Sequence, residues 1–255
     1  MSQPAAPEQT PPGPERDSGI LLEDVGLRLA GREVLSNISL HLTERRIAIL
    51  GRNGSGKTSL LRVIAGLIPP TTGWMRIDGQ DPATKRRDML RRIGILFQNP
   101  DHQIIFPTVA EELCFGLIQQ GLDRGTATAR MRAHLAAQGR AHWEDRPVTA
   151  LSQGQRQMLC LMAVLLMEPA TILLDEPFAG LDLPSRARLR RRLAALPQQI
   201  ITITHDPAEM TGHDRAIWIE AGRVQRDGPA DAVAAQFVEA MNHEGALDAD
   251  ADLAP

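Results

Sequence analysis

The octapeptide Gly51-Arg52-Asn53-Gly54-Ser55-Gly56-Lys57-Thr58 constrains this chain more than any other feature. It fits GxxxxGK[ST], follows the apolar run Ile47 to Leu50 and precedes a helical segment from Ser59 to Leu67. Strand, glycine loop and helix in that order is the context that a phosphate-binding loop requires. Glycines let the backbone wrap closely around phosphate oxygens. The N–H groups of Arg52, Asn53 and Ser55 then converge with the helix N-terminus as an anion nest. Lys57 supplies a point charge for the β- and γ-phosphates, and the Thr58 hydroxyl, with Ser59 beside it, suits a Mg²⁺ position. Lysine is scarce here: Lys57 and Lys85 are the only two among 28 basic residues, which makes the placement of Lys57 informative.

A second acidic element completes that site. Thr171-Ile172-Leu173-Leu174-Asp175-Glu176-Pro177 reads as a buried strand ending in two carboxylates. Asp175 would hold Mg²⁺ through water. Glu176, one residue further on, would reach past the metal to polarise an attacking water.

The rest of the chain is compatible with a globular protein of one or two folding units. It has 255 residues, 43 % hydrophobic and 23 % charged, which excludes a mainly disordered chain. A net charge of −3 argues against a dedicated nucleic-acid coat. Cys114 and Cys160 sit among apolar residues at no metal or disulfide spacing, and read as core thiols in a reducing compartment. The longest apolar run, Met158 to Met167, is half of what a membrane span needs. The first eighteen residues hold five prolines and are not a signal peptide. The expected location is therefore cytoplasmic, with any membrane association through a partner.

Residues 1–18 read as a disordered leader and 242–255, with Glu244, Asp248, Asp250 and Asp252, as a disordered acidic tail. Between them, 19–241, Ile20 to Leu29 and Val34 to Leu42 pair as strands about a turn at Ala30-Gly31-Arg32. Further strands are expected at Ile47 to Leu50, Trp74 to Ile77, Ile93 to Phe97, Ile172 to Leu174, Ile200 to Ile203 and Ala216 to Ile219, with a turn and short hairpin at 222–228. Helical period covers Thr108 to Gln120, Arg124 to Gln138 and Gln153 to Met167, the last apolar almost all round and so buried. All-apolar strands alternating with helices predict a parallel α/β sheet covered on both faces. The strand-free stretch 99–166 forms a helical lobe, inserted between core segments 19–98 and 167–241. Ser152 reads as the N-cap of the apolar helix. Arg186, Arg188, Arg190, Arg191 and Arg192 read as a solvated helix surface.

The motifs occur in a telling order. The loop at 51–58 is followed by Gln98 ending a strand, Leu151-Ser152-Gln153-Gly154-Gln155, Asp175-Glu176, Gly180-Leu181-Asp182 and His205 ending another strand. This series resembles the ATPase subunit of an ABC transporter and covers nearly the whole globular part. The resemblance implies a P-loop NTPase core with an N-terminal antiparallel β subdomain and an inserted α-helical subdomain. It implies ATP and Mg²⁺ as ligands, Glu176 as general base, Gln98 at the metal or lytic water, and His205 at the γ-phosphate. It also implies that Ser152, Gln153, Gly154 and Gln155 face the γ-phosphate held by a second subunit, and that Asp182 crosses to that subunit. Two chains would close around two ATP molecules, as a homodimer or as a heterodimer with a paralogous ATPase. Two positions depart from the family pattern. Gln153 stands where a glycine is usual, and Leu29 aligns with the aromatic residue that stacks on adenine.

The segment Phe97-Gln98-Asn99-Pro100-Asp101-His102-Gln103-Ile104-Ile105-Phe106-Pro107-Thr108-Val109 resembles the ATPases of energy-coupling-factor (ECF) importers of vitamins and transition-metal ions. In that group it forms a short helix lining the groove that receives coupling helices of a transmembrane subunit. The resemblance makes Ile104, Ile105 and Phe106 the apolar contacts and lets Glu111 and Glu112 meet basic residues of those helices. It implies a peripheral subunit at the cytoplasmic face, with a transmembrane coupling subunit and a substrate-binding membrane subunit as partners, and no nucleic acid. Glu176-Pro177-Phe178-Ala179-Gly180-Leu181-Asp182 is most similar to biotin-importer ATPases, with cobalt or nickel importers next. A soluble ABC ATPase acting on ribosomes or DNA is the competing class.

Overall fold

In the computed structural model, residues 18–251 are described. The expected leader, apart from Ser18, and the last four residues lie outside them. Strands β1 (Ile20–Leu29) and β2 (Arg32–Leu42) form an antiparallel hairpin, with Ile20 opposite Leu42 and Leu29 opposite Arg32. β3 (Arg46–Leu50) leads into the glycine loop and α1 (Lys57–Ile64). β4 (Thr72–Ile77) returns to pair antiparallel with β1, giving a three-stranded sheet ordered β2-β1-β4. The short α2 (Arg86–Arg92) precedes β5 (Ile93–Leu96). Helices α3 (Val109–Gln119), α4 (Arg124–Ala137) and α5 (Gln153–Leu166) follow without an intervening strand. Then come β6 (Thr171–Asp175), α6 (Leu183–Ala194), β7 (Gln199–Thr204), β8 (Arg215–Glu220), β9 (Arg223–Pro229) and α7 (Ala230–Ala251).

The second sheet has six strands in the order β5-β6-β7-β3-β8-β9. β5 to β8 run parallel, and β9 closes the edge antiparallel to β8 as the hairpin at 222–228 requires. Burial explains the composition: every residue of β6 is buried, and only the first residue of β3 and of β7 is partly exposed. Such strands have no solvent face to mark with polar residues.

Four apolar cores follow. The three-stranded sheet and α1 enclose one core with β3, β7 and β8, where Leu22, Ile38, Ile49, Leu60 and Ile217 are fully buried. A second core joins β5 and β6 to α5 and α6 through Leu96, Cys160, Leu161, Leu174 and Leu189. α7 covers the far side of β3 and β8, where Phe237 meets Trp218 edge-on at 5.3 Å. The helices α3 to α5 carry a core of their own, built on Leu113, Leu117, Met131, Leu135, Leu159 and Trp143. Cys160 is buried and its thiol is pushed up to about 12 by that burial, while Cys114 is half-buried.

Two stretches differ from the sequence expectation. α7 continues through the acidic segment as far as Ala251, where a disordered tail from Asn242 was expected. The buried set Ala230, Val233 and Phe237 has helical spacing, and the proline-free stretch 238–251 beyond it, with four alanines, propagates a helix already nucleated. α2 carries four arginines in seven residues and so lacks the apolar period that sequence reading relies on.

Candidate functional site

The parallel sheet brings the site together at one edge. β5, β6, β7 and β3 are neighbours, so their carboxyl ends lie side by side. Gln98 follows β5, Glu176 follows β6, His205 follows β7 and the glycine loop follows β3. In open α/β sheets this is the edge at which ligands bind.

Glu176 is the centre of this group. Gln98 Nε2 donates to its Oε2 at 3.1 Å, and His205 Nδ1 contacts its Oε1 at 3.1 Å. Its backbone is left-handed, with φ 44°, and its amide donates to Ile203 O at 3.0 Å. A non-glycine residue held there stores about 1–3 kcal/mol of strain, which the β6–β7 pairing must offset. Asp175, one residue earlier, is buried and within 3.4 Å of Thr58 Oγ1, which donates to its Oδ1. Burial pushes its carboxyl up, and the neighbouring Glu176 charge adds to that.

The glycine loop is built for close approach. Gly56 has φ 106°, and a Cβ there would stand 3.0 Å from Leu35 Cδ2. Lys57 is buried, and its Nζ donates to Gly51 O at 2.8 Å and Arg52 O at 2.7 Å. Burial pushes the ammonium down, while Glu176 and Asp175 pull it up. Ser55 is buried with no hydrogen-bond partner for its hydroxyl among the described residues. Asn53, Gly54, Gly56, Lys57, Thr58 and Ser59 line a cavity of about 400 Å³ with Gln98 and Glu176. That volume is in the range of small-molecule sites. Arg52 turns away from it and pairs with Glu244 of α7 at 2.6 Å.

Val34, on β2, is the apolar residue that the antiparallel sheet contributes to this cavity. Sequence reading pointed to Leu29, which is not among the cavity walls. Leu29 sits at the tip of the hairpin, three residues of chain on the other side of the turn from Arg32. Only the strand register could have found Val34. Arg62, on α1, was likewise missed; it lines a second cleft with Thr58, Gln98, Asp175 and Gln153.

The segment Ser152–Gln155 caps α5. Ser152 Oγ accepts from the Gln155 amide at 3.3 Å, and Gln155 Oε1 accepts from the Ser152 amide at 2.9 Å. This capping box leaves the Gln153 and Gly154 amides without an acceptor among the described residues, the arrangement that receives an anion. Ser152, Gly154 and Gln155 line neither cavity. A Cβ on Gly154 would stand 2.7 Å from Ser185 Oγ at the start of α6. The Gln153 side chain lies over Gly180, whose φ is 69°. Asp182 is the N-cap of α6, accepting from the Ser185 amide at 2.8 Å, and the Ser185 hydroxyl together with that amide holds its carboxyl below the usual range.

One expectation fails. Glu112 does not face outward to meet basic residues. It is buried, and its Oε2 accepts from the Ile105 and Phe106 amides at 3.0 Å each. Helical position explains this: on α3 it faces inward beside the buried Val109 and Leu113, whereas Glu111 stays exposed and bonds to Thr108. Of the apolar trio, Ile105 is exposed while Ile104 and Phe106 are partly covered.

A phosphate loop, a buried aspartate against its threonine, and a glutamate held between a glutamine and a histidine define a P-loop ATPase. The family model described as "ABC transporter" matches residues 35–179. The biotin transport ATP-binding protein BioM of Rhodobacter capsulatus is 53 % identical over 217 residues, covering 85 % of this chain and 93 % of the relative. The protein of the same name from Rhizobium etli is 38 % identical over 220 residues, covering 86 % and 98 %. The structure of cbiO1 from Clostridium perfringens, part of the ABC transporter complex cbiONQ, matches with a TM-score of 0.74 at 30 % identity, covering 86 % of this chain and 91 % of that one. The dimeric cassette MJ0796 bound to ADP and Pi has the same fold, with a TM-score of 0.71 at 24 % identity over 83 % of this chain and 98 % of that one. The chain belongs to the ABC transporter ATPase family, whose cassettes bind and hydrolyse ATP. Among the described residues no helix is long and apolar enough to cross a membrane.

Proposed function

We infer that this chain is the ATP-hydrolysing subunit of an ECF-type importer, with biotin as the cargo. The observation that carries this reading is the 53 % identity to a biotin transport ATP-binding protein across 85 % of this chain and 93 % of that one. The exposed Ile105 beside the Phe106–Phe115 ring pair, centroids 5.1 Å apart, supports a docking surface for a transmembrane coupling subunit. A substrate-binding membrane subunit would complete the complex, with this chain peripheral on the cytoplasmic side.

The roles follow from the geometry. The loop amides and Lys57 would hold the β- and γ-phosphates of ATP, with Lys57 leaving Gly51 O and Arg52 O for the phosphate oxygens. Thr58 Oγ1 and Asp175 are hard oxygen donors already in contact, with Asp175 destabilised as an anion by burial, so the pair fits a magnesium ion. Such an ion supplies positive charge to the phosphates. Glu176 would accept a proton from the attacking water, and Gln98 and His205 hold its two oxygens in place for that step. The free amides of Gln153 and Gly154 would complete the γ-phosphate site of a second subunit. Asp182, on the segment beside them, would reach the same interface. Closure of two chains around ATP would then be undone by hydrolysis, because ATP bridges both halves only in the closed state.

Uptake of labelled biotin and labelled cobalt, in cells carrying the wild-type chain or Glu176→Gln, tests this reading. Loss of biotin uptake alone supports it. Loss of cobalt uptake alone moves the cargo to the metal branch. If neither changes, the importer reading falls.

A further inference from the structure

Residues 97–106 connect the nucleotide site to the exposed apolar tip, and among the contacts that fasten them are those of three polar side chains, one of their own and two from α3 and α5. Gln103 folds back on its own segment, accepting from the Phe97 amide at 3.1 Å and donating to Ile95 O at 3.2 Å. Arg156 of α5 pairs with Asp101 at 2.8 Å. At the far end Glu112 Oε2 accepts both the Ile105 and Phe106 amides.

The third fastening is the unusual one. A carboxylate is costly to bury unless its hydrogen bonds compensate. Here that cost is offset by two backbone amides of a surface loop, and no ion pair to Glu112 occurs among the described residues. The residues so held do little for the core: Ile105 is 62 % exposed. α3 is anchored without Glu112, through Val109, Leu113 and Leu117. A buried charge that orders an exposed apolar tip serves whatever the tip meets.

The geometry points to Glu112 as a positioning residue for coupling: its carboxylate holds Ile105 and Phe106 in the conformation that docks on the membrane subunit. The inference rests on the importer reading above. With the clamp gone, docking must also order the loop, and that cost weakens the contact.

Glu112→Ala and Glu112→Gln in the full-length chain test this. In Glu112→Ala, the Ile105 and Phe106 amides should exchange hydrogen roughly ten- to a hundredfold faster, the factor that a hydrogen bond to a charged group carries. Basal ATPase of the purified chain should stay within about twofold, while biotin uptake by cells falls roughly tenfold. Glu112→Gln keeps an oxygen acceptor and should recover most of both the protection and the uptake. Wild-type uptake in Glu112→Ala, unchanged amide exchange, or basal ATPase falling in step with uptake would each overturn the proposal. Glu176→Gln is the control. If it abolishes uptake and Glu112→Ala does not, only this proposal falls; if it leaves uptake intact, the importer reading falls as well.

Discussion

Replacing Glu176 by glutamine removes a charge and keeps the shape, so it isolates what the carboxylate does. The Gln98 amide and His205 Nδ1 each lie 3.1 Å from one of its oxygens. A glutamine retains one oxygen for Gln98, and its NH₂ can donate to His205 if the imidazole presents its Nδ1 lone pair. In that tautomer both contacts survive, and so does the left-handed backbone, which depends on the amide bond to Ile203 O. What is lost is the proposed base. A positioned general base contributes roughly 10²–10⁴ in rate, equivalent to about 3–5 kcal/mol of barrier. Steady-state ATPase at saturating ATP should fall by that factor. The ATP dissociation constant should stay within a few-fold, and the ATP-loaded variant should accumulate as a dimer in size-exclusion chromatography. Wild-type turnover in Glu176→Gln would refute the assignment of the base. A parallel collapse of ATP binding would show that Glu176 is a structural prop instead.

Three further outcomes follow from the same contacts. The Asp175 carboxyl is raised above 3.8 by burial and then by Glu176, so its contribution to stability is present below that pH and is lost as pH rises through the folded value. Asp175→Asn should therefore raise the thermal midpoint of the nucleotide-free chain at neutral pH and abolish its rise on adding magnesium; a lower midpoint would contradict this. His213 is pushed below 6.5 by burial, with its ring nitrogens on Met210 O and Thr202 Oγ1. A depressed folded value means stability present above 6.5 and lost as pH falls, so urea melts at about pH 7.5 and about pH 5 should differ less in His213→Asn than in the wild type. Gly180→Ala should cost about 1–2 kcal/mol from its left-handed backbone alone, plus a clash 2.8 Å from Gln153 Nε2 that Gln153→Gly removes. Thermal melts of the single and double variants separate the two parts, and full rescue by Gln153→Gly would disprove the backbone term.

Much of the fold is legible in the residues because its determinants are local. The alternating hairpin of β1 and β2 and the apolar runs of β3, β6 and β7 mark themselves by pattern. So does α5, whose Ser152 and Gln155 form a capping box detectable from spacing alone. α2 escaped because arginines hide its period. α7 escaped because its acidic end reads as a tail, although Ala230, Val233 and Phe237 carry helical spacing. Glu112 was misread because two adjacent glutamates look alike in a string, and only the helix phase tells the buried one from the exposed one.

The amino-acid sequence by itself determined the chemistry: a glycine loop with its lysine and threonine, and an acidic pair at a strand end, need only contiguous residues to be recognised. The tertiary fold settled which groups come together. Gln98 and Glu176 lie 78 positions apart and Glu176 and His205 lie 29 apart, yet all three meet because β5, β6 and β7 are adjacent in the sheet. Strand order is settled by how the apolar faces of strands and helices pack, and that free energy is spread over the whole core. The same packing placed Val34 rather than Leu29 at the cavity, and turned Glu112 inward to hold the loop beside it.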